Sequence, residues 1–287
     1  MARKLPRRCF RVNIAALRRP ANACIRRRMN TPNPDAPPKG DRIAKIIARA
    51  GLCSRRDAER WIADGRVAVA GKIIDSPALN ITDHGTIRVD GQPLPGAEPP
   101  RLWRYHKPQG VVTTARDPEG RPTIADKMPS GMPRIMPIGR LDIGSEGLLL
   151  LTNDGELKRH LELPATGWTR RYRARVYGRV EQQKLDTLAR GITVAGVKYG
   201  PIEATLERQE GANAWIAIGL REGKNREVRK VMEHLGYTVN RLIRVSFGPF
   251  QLGGMERGEV EEMPTHILRD QLGKATAEKL GLATRRR

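Results

Sequence analysis

One stretch decides both the fold and the chemistry of this chain, and its sequence is Pro137-Ile-Gly-Arg-Leu-Asp-Ile-Gly-Ser-Glu-Gly-Leu-Leu-Leu-Leu-Thr-Asn-Asp-Gly155. Its four consecutive leucines, Leu148–Leu151, predict a strand buried on both faces of a sheet, because neither alternating face carries a polar side chain. Asp142 lies in a glycine-flanked loop directly before that strand. An isolated Leu-Asp pair usually marks a turn, so the role of Asp142 depends on the rest of the chain.

The composition of the whole chain excludes several classes of protein. The 287 residues contain 53 Lys and Arg against 31 Asp and Glu, a formal net charge of +22. No apolar run approaches the ~20 residues that a bilayer-spanning helix needs, so we expect no membrane association. Leu, Ile and Val recur in periodic blocks, which excludes a wholly disordered chain. With only three cysteines, all in the first 53 residues, we expect a reduced, cytoplasmic protein.

Much of the positive charge lies at the two ends of the chain. Residues 1–30 contain ten basic residues and no acid, and residues 271–287 contain five bases and one acid. We therefore predict a basic extension over 1–40 and a basic tail over 271–287, which attract phosphates weakly and without selectivity. The first 28 residues have the composition of an organellar transit peptide, or they precede a start of translation at Met29.

Residues 41–97 have the pattern of a small helix–helix–strand domain. Apolar residues recur at helical spacing over 43–50, and Ser54-Arg-Arg-Asp57 is a capping box that starts a second helix. Short apolar runs bounded by glycine turns predict the strands that follow. Residues 93–100 contain four prolines and predict a linker to the next domain.

The second domain, residues 101–270, mixes strand and helix periodicities. Residues 172–176 and 215–218 predict strands, and the apolar stripe over 228–235 predicts a helix. Many strands with few helices, and no regular strand–helix alternation, predict an α+β fold with a mostly antiparallel mixed sheet.

No sequence motif indicates a metal or a cofactor. The five histidines never occur at the spacing of metal ligands, and the chain contains no Cys-x-x-Cys. The glycine patterns of nucleotide-binding loops and of the nucleophile elbow are also missing. We therefore expect no metal and no nucleotide cofactor.

The first domain closely resembles the S4 RNA-binding domain. The resemblance rests on residues 41–60, Asp-Arg-Ile-Ala-Lys-Ile-Ile-Ala-Arg-Ala-Gly-Leu-Cys-Ser-Arg-Arg-Asp-Ala-Glu-Arg, and on Gly65-Arg-Val-Ala-Val-Ala-Gly-Lys72. A charged helix face can simply be solvated, but the start of a helix also attracts phosphate. The RNA-binding residues that we predict here are Arg42, Lys45, Arg55, Arg56, Arg60 and Lys72.

The Asp142 stretch is similar to the catalytic motif of pseudouridine synthases, in the branch that contains the small-subunit type A and large-subunit type B ribosomal enzymes. The resemblance extends to Lys107-Pro-Gln-Gly-Val-Val-Thr-Thr114, Arg116-Asp-Pro-Glu-Gly-Arg-Pro-Thr123 and Glu222-Gly-Lys-Asn-Arg-Glu-Val-Arg-Lys230. It implies an enzyme that breaks the C1′–N1 bond of a uridine in RNA, rotates the uracil and rejoins it through C5, without a cofactor.

The resemblance also implies roles for individual residues. Asp142 matches the catalytic nucleophile, with attack on the ribose or on the ring left open. Arg229 matches the family's basic partner, and Tyr172 matches the tyrosine beneath the target base. Arg140 and Leu242 match supporting positions of the active site.

Alternation along residues 170–176 separates two faces of one strand. Tyr172 shares its face with two apolar residues, and the opposite face carries Arg171, Arg173 and Arg175. A row of arginines suits an RNA backbone, so we predict that these three residues bind RNA.

The motifs favour large-subunit (23S) ribosomal RNA as the substrate, and we expect the enzyme to act as a monomer. Two alternatives stay open: a small-subunit (16S) target, and a non-catalytic ribosomal RNA-binding assembly factor with the same fold. The intact Arg-Leu-Asp sequence at 140–142 argues against the second, because a non-catalytic site has no need for that acid.

Overall fold

The structure is a computed structural model that describes residues 40–282. The predictions for residues 1–39 and for 283–287 lie outside the described residues. Within residues 40–282, no helix is both long enough and apolar enough to cross a bilayer.

The first domain contains two helices and short strands, as the sequence predicts. The hydroxyl of Ser54 accepts from the amide of Asp57, whose carboxylate accepts from the amide of Ser54, so the capping box is confirmed. Both helices bury isoleucines against the strands, with Ile43 and Ile62 fully buried. The elements are β1 (Asp41–Arg42), α1 (Ile43–Arg49), α2 (Arg55–Ala63), β2 (Val67–Val69), β3 (Lys72–Ile73), β4 (Asn80–Ile81), β5 (Ile87–Val89) and β6 (Gln92–Pro93).

The second domain is built on one mixed sheet with strand order β13-β14-β10-β15-β9-β7-β17. Its pairs are antiparallel except β15 with β9, where Ile243 pairs with Glu146. This arrangement confirms the predicted α+β fold. The strands of this domain are β7 (Leu102–Lys107), β8 (Met136–Ile138), β9 (Glu146–Thr152), β10 (Arg170–Tyr177), β11 (Ile192–Val194), β12 (Val197–Tyr199), β13 (Ile202–Glu210), β14 (Asn213–Leu220), β15 (Thr238–Phe247), β16 (Phe250–Gln251) and β17 (Val260–Glu262).

Helices cover both faces of this sheet. Leu148 and Leu150 of β9 belong to one apolar cluster, and Leu149 and Leu151 belong to another, so the strand is buried on both faces as predicted. A further cluster lies under α4 and α5. The helices are α3 (Gly155–Glu162), α4 (Gln182–Asp186), α5 (Glu227–His234), α6 (Thr265–Leu272) and α7 (Lys274–Lys279).

The predicted basic tail does not begin at residue 271. Residues 271–282 complete α6 and form α7, and Leu272, Leu280 and Leu282 are buried in the same cluster as the β9 leucines. The leucines provide enough apolar surface to fold this segment onto the domain, despite its charge.

The linker between the two domains does not keep them apart. The ammonium of Lys45 on α1 lies 2.6 Å from the carboxylate of Glu156 on α3, and Arg49 lies 3.4 Å from the buried Asp154. Lys45 also pairs with Asp41, so both of its partners are carboxylates of the protein. RNA binding by Lys45 stays a prediction, which the salt dependence of binding by Lys45→Ala tests.

The other predicted RNA-binding residues of the first domain lie on its surface. Arg60 is exposed and pairs with Asp57 at the start of α2. Four others are exposed and form no ion pair with any described residue: Arg42, Arg55, Arg56 and Lys72.

Candidate active site

Asp142 lies in a rigid loop that we call the Asp142 loop (residues 141–145). Every main-chain carbonyl of this loop accepts a hydrogen bond from elsewhere in the fold. The donors are Thr113 Oγ1 to residue 141 (2.7 Å), Lys107 Nζ to residues 142 (3.2 Å) and 145 (2.9 Å), Gly110 N to residue 143 (2.9 Å), and Arg229 Nη2 to residue 144 (2.7 Å). The loop therefore presents the Asp142 carboxylate in a fixed position.

Lys107 at the end of β7 is the central donor to this loop. Its side chain is completely buried, and its ammonium donates only to main-chain carbonyls, including that of Pro108 at 3.1 Å. Burial lowers the pKa of Lys107 to about 8, while the negative charge of Asp142 opposes that effect. The sequence contains Lys107 in a recognised motif, but nothing local in that motif reveals this buried role.

Two arginines of the 222–230 motif approach Asp142. Arg226 Nη1 lies 3.9 Å from the Asp142 carboxylate, and Arg229 donates to the carbonyls of Gly144 and of Val239. Arg229 is thus brought to the loop as predicted, but through the backbone. The sequence alone did not single out Arg226. In the structure, its backbone has the left-handed conformation with φ of 52°, and such strain is typical of functional sites.

A cavity of about 1200 Å³ opens beside the Asp142 carboxylate. It brings together four predicted residues: Arg140, Asp142, Tyr172 and Leu242. Arg229 contacts the Asp142 loop without lining the cavity. The structure therefore gathers the residues of the predicted active site from the loop before β9 and from strands β10 and β15.

Tyr172 on β10 and Leu242 on β15 line the cavity from adjacent strands. Tyr172 pairs with Arg244, and Ala174 pairs with Leu242, in the register of β10 and β15. The tyrosine is half-buried against apolar clusters on both sides, so one part of its ring stays accessible. An accessible aromatic ring in a cavity can stack a nucleobase.

The three arginines of the other face of β10 do not line the cavity themselves, although Glu203, the ion-pair partner of Arg171, does. Arg171 and Arg173 alternate with Tyr172 and pair with Glu203 and Glu207 of β13, at 3.5 and 2.7 Å. The third predicted residue of this face is Arg175. RNA binding by these arginines stays a prediction, and it concerns a different surface from the one that holds Asp142.

Two further arginines add positive charge to the cavity. Arg170 and Arg244 line it, with their guanidinium carbons 4.7 and 5.4 Å from the ring of Phe247. Arg244 is 2% exposed, and neither arginine pairs with a carboxylate in the described chain. Burial lowers the pKa of Arg170, yet an arginine keeps its charge at neutral pH. Buried cations without protein counter-ions favour an anionic ligand such as RNA.

Glu227 at the start of α5 is a buried acid in the cavity wall. One carboxylate oxygen accepts from the amide of Lys224 at 2.8 Å, and the other has no hydrogen-bond partner. Burial, together with the nearby charge of Glu222, raises the pKa of Glu227 to about 7. The glutamate ties the 222–226 segment, which carries Arg226, to the helix.

The fold and the site together define an enzyme that acts on RNA. The Asp142 carboxylate extends from a firmly held loop beside a cavity lined by several arginines, in a chain whose other domain has the exposed basic residues of an RNA-binding module. Within residues 40–282, no group of three or more Asp, Glu, His or Cys could hold a metal ion.

Known proteins identify the kind of enzyme. The family model for RNA pseudouridylate synthase matches residues 101–234, and that for the S4 domain matches residues 41–87. An uncharacterised RNA pseudouridine synthase of Rickettsia prowazekii is 42% identical over 231 residues, covering 80% of this chain and 97% of that protein. The chain therefore belongs to the RNA pseudouridine synthase family, whose members isomerise uridine in RNA.

Two further relatives agree with this assignment. The ribosomal large subunit pseudouridine synthase B of Escherichia coli O6:H1 is 39% identical over 259 residues, covering 86% of this chain and 89% of that protein. A crystal structure of a pseudouridylate synthase superposes with a TM-score of 0.57 at 26% identity, covering 81% of this chain and 99% of that one. The predicted S4 domain and pseudouridine synthase domain are thus confirmed.

Proposed function

We propose that this enzyme isomerises a specific uridine of large-subunit ribosomal RNA, with Asp142 as the nucleophile. One observation carries the assignment of Asp142. Among the carboxylates that line the cavity, Glu162, Glu222 and Glu227 each accept a hydrogen bond from the protein. Glu203 is 74% exposed beside Arg171. Asp142 is half-buried, and its carboxylate accepts no hydrogen bond from the described residues, so it is free to react.

Two cationic side chains lie beside the Asp142 loop. Arg226 Nη1 is 3.9 Å from the Asp142 carboxylate, and Arg229 donates to the carbonyl of Gly144. A carboxylate is a far better nucleophile than the neutral acid, because its negative charge makes the oxygens stronger electron-pair donors. The two arginines place positive charge beside that nucleophile.

The cavity suits a base that leaves its stack, rotates and rejoins. With the uracil on Tyr172, the Asp142 carboxylate forms a bond to the nucleotide and the C1′–N1 bond breaks. Rotation then brings C5 to C1′, where the new C–C bond forms, and the bond to Asp142 breaks, which regenerates the carboxylate. Loss of the C5 proton restores the ring and N1 gains a proton, so the sum of atoms is unchanged. Enzymes that work on a base must extrude it in this way.

Two observations support the proposed target class: the names of relatives and the charge of the S4 domain. Proteins named ribosomal large subunit pseudouridine synthase B, from Yersinia pestis as well as E. coli O6:H1, cover most of this chain at 38–39% identity. The exposed basic residues of the S4 domain provide a second contact with the same RNA. We propose that the enzyme works on this RNA as a monomer in the cytoplasm.

The test is a map of pseudouridine in the ribosomal RNA of cells that lack this protein. We expect one pseudouridine of the large-subunit RNA to disappear, and to return with the wild-type gene but not with Asp142→Asn. Loss of a small-subunit pseudouridine alone would contradict the target. Restoration by Asp142→Asn would contradict the catalytic role and favour an assembly factor.

A further inference from the structure

Ile143 follows Asp142 directly, and its side chain is left outside the apolar core. It is 42% exposed, whereas Leu141 on the other side of Asp142 is 6% exposed. Single exposed apolar residues are common and by themselves need no explanation. The position of Ile143 is different, because it lies in the loop that holds the proposed nucleophile.

The backbone at Ile143 is held on every side. Its own carbonyl accepts from the amide of Gly110 at 2.9 Å, and Lys107 and Arg229 hold the carbonyls of the neighbouring residues. A β-branched side chain also has few choices at χ1, so little freedom is left. Ile143 therefore projects a stiff apolar group from a fixed point, in surroundings that are otherwise rich in cations.

Extrusion of a base from RNA leaves a gap in the stack and costs a few kcal/mol. Proteins that distort nucleic acids offset such a cost by inserting an apolar side chain, isoleucine among them, between the bases. Successive Cα atoms are about 3.8 Å apart, roughly the thickness of one stacked base. Ile143 is therefore close enough to enter the stack while Asp142 reaches the extruded nucleotide.

We propose that Ile143 is a wedge that fills the space vacated by the target uridine. It thereby sets the rate at which the enzyme isomerises a uridine that is stacked in the RNA before binding. This role rests on the proposed function of Asp142. A wedge acts on the extrusion step, so its loss should matter only where a base has to be taken out of a stack. A residue that merely shapes the Asp142 loop would affect every substrate alike.

The experiment compares full-length Ile143→Ala and Ile143→Leu with wild type, and uses Ile267→Ala as a matched control. Ile267 on α6 is a similarly exposed isoleucine (38%) that lies outside the Asp142 loop. Two RNAs are used: a fragment with the mapped uridine paired in a helix, and the same fragment with that uridine mismatched and unstacked. Single-turnover rates are measured at saturating enzyme.

We expect Ile143→Ala to be about tenfold slower on the paired target and within about threefold of wild type on the unstacked one. Ile143→Leu and Ile267→Ala should stay close to wild type on both. Equal slowing of Ile143→Ala on the two RNAs would overturn the wedge. An unchanged rate on the paired target would overturn it too.

A second readout follows extrusion without chemistry. In the Asp142→Asn background, 2-aminopurine beside the target uridine should brighten on binding, and Ile143→Ala should suppress that signal at an unchanged Kd. A full signal in the double variant would contradict the wedge. If wild type forms no pseudouridine in either RNA, the proposed function fails; if wild type is active and Ile143→Ala matches it, only this inference fails.

Discussion

The ammonium of Lys107 donates a hydrogen bond to the main-chain carbonyl of Asp142 across 3.2 Å, and not to its carboxylate. Lys107 is fully buried, and its two other acceptors are also main-chain carbonyls. The lysine thus fixes the backbone of the Asp142 loop. The carboxylate is left facing the cavity, with Arg226 as its ion-pair partner at 3.9 Å.

This arrangement predicts a decline in kcat as the pH rises through about 8, the pKa of buried Lys107. Loss of the proton leaves two N–H donors for three carbonyls, which loosens the loop. The native pKa lies below that of the unfolded chain, so the folded protein gains stability between about pH 8 and 10. A parallel series of Tm values should therefore show no unfolding where kcat falls.

Lys107→Met tests whether Lys107 is the group that causes the alkaline decline in kcat. We expect low activity at every pH and no decline centred near 8, because the titrating group is gone. Normal activity of Lys107→Met, with the alkaline decline unchanged, would show that another group controls this part of the profile.

Arg226 and Arg229 should differ in what they support. Arg226→Ala should lower kcat at least about tenfold, with little change in Tm, because its guanidinium faces the Asp142 carboxylate. Arg226→Lys should recover part of the rate by keeping the charge. The kcat and Tm values of both variants provide the measurement.

Arg229→Ala, unlike Arg226→Ala, should lower the free energy of unfolding by about 1–3 kcal/mol, because it removes the hydrogen-bond donors to the carbonyls of Gly144 and Val239. Urea unfolding of the two alanine variants separates these effects. The reverse pattern, with Arg226→Ala unstable and Arg229→Ala stable, would contradict the assignment.

Glu227 should make stability depend on pH. Its pKa is raised from 4.5 to about 7, so the folded protein binds this proton more tightly than the unfolded chain does. The stability that this group contributes is therefore lost as the pH rises from about 4.5 through about 7, by at most ~3 kcal/mol. Glu227→Gln should remove the loss and be more stable than wild type at pH 8.

The control for Glu227 is Glu233→Gln, a change to an exposed glutamate on the same helix α5. Denaturant unfolding at pH 5 and pH 8 is the measurement. If Glu227→Gln is no more stable than Glu233→Gln at pH 8, the buried acid does not have the role that its surroundings indicate.

The S4 domain should control RNA affinity through α2 and not through α1. Replacing Arg55 and Arg56 with Ala should weaken binding and reduce the slope of log K against log salt by up to ~2, if both contact phosphates. The saturated rate should change little, because the contact is present before and during the reaction. Binding and single-turnover rates at several salt concentrations provide the test.

Lys45→Ala is the contrasting variant, because Lys45 is paired with Asp41 and Glu156. We expect its salt slope to match wild type, while protease cleavage in the 93–100 linker becomes faster as the domains loosen. A salt slope that falls with Lys45→Ala as much as with the double arginine variant would contradict this division.

Local signals explain what could be predicted from the sequence. The capping box at Ser54, the leucine strand before Thr152 and the apolar stripe of α5 are each complete within about ten residues. Contacts between distant segments have no such local signal. Lys45 and Glu156 are 111 residues apart, and only the docking of the domains shows that this lysine pairs with a carboxylate of the second domain.

The candidate site shows the same limit. Alternation correctly separated Tyr172 from the arginines of β10, but it could not say which face lines the cavity. No local sequence pattern distinguishes Arg226 or Arg244. Arg226 lies near Asp142, and Arg244 pairs with Tyr172, only because of how the segments and strands are arranged in the fold. The C-terminal leucines were missed because their segment looked like a charged tail, and the surface that buries them belongs to β9 and α6.

The central claim is that the Asp142 carboxylate performs the isomerisation. The most direct measurement is pseudouridine formation by purified Asp142→Asn on protein-free large-subunit ribosomal RNA, with Kd and Tm measured on the same preparation. The amide keeps the shape of a side chain that accepts no hydrogen bond from the described protein, so binding should stay within a few-fold and Tm should not fall. We predict no detectable product. A rate of even about a tenth of wild type, only ~1.4 kcal/mol in activation free energy, would contradict the claim.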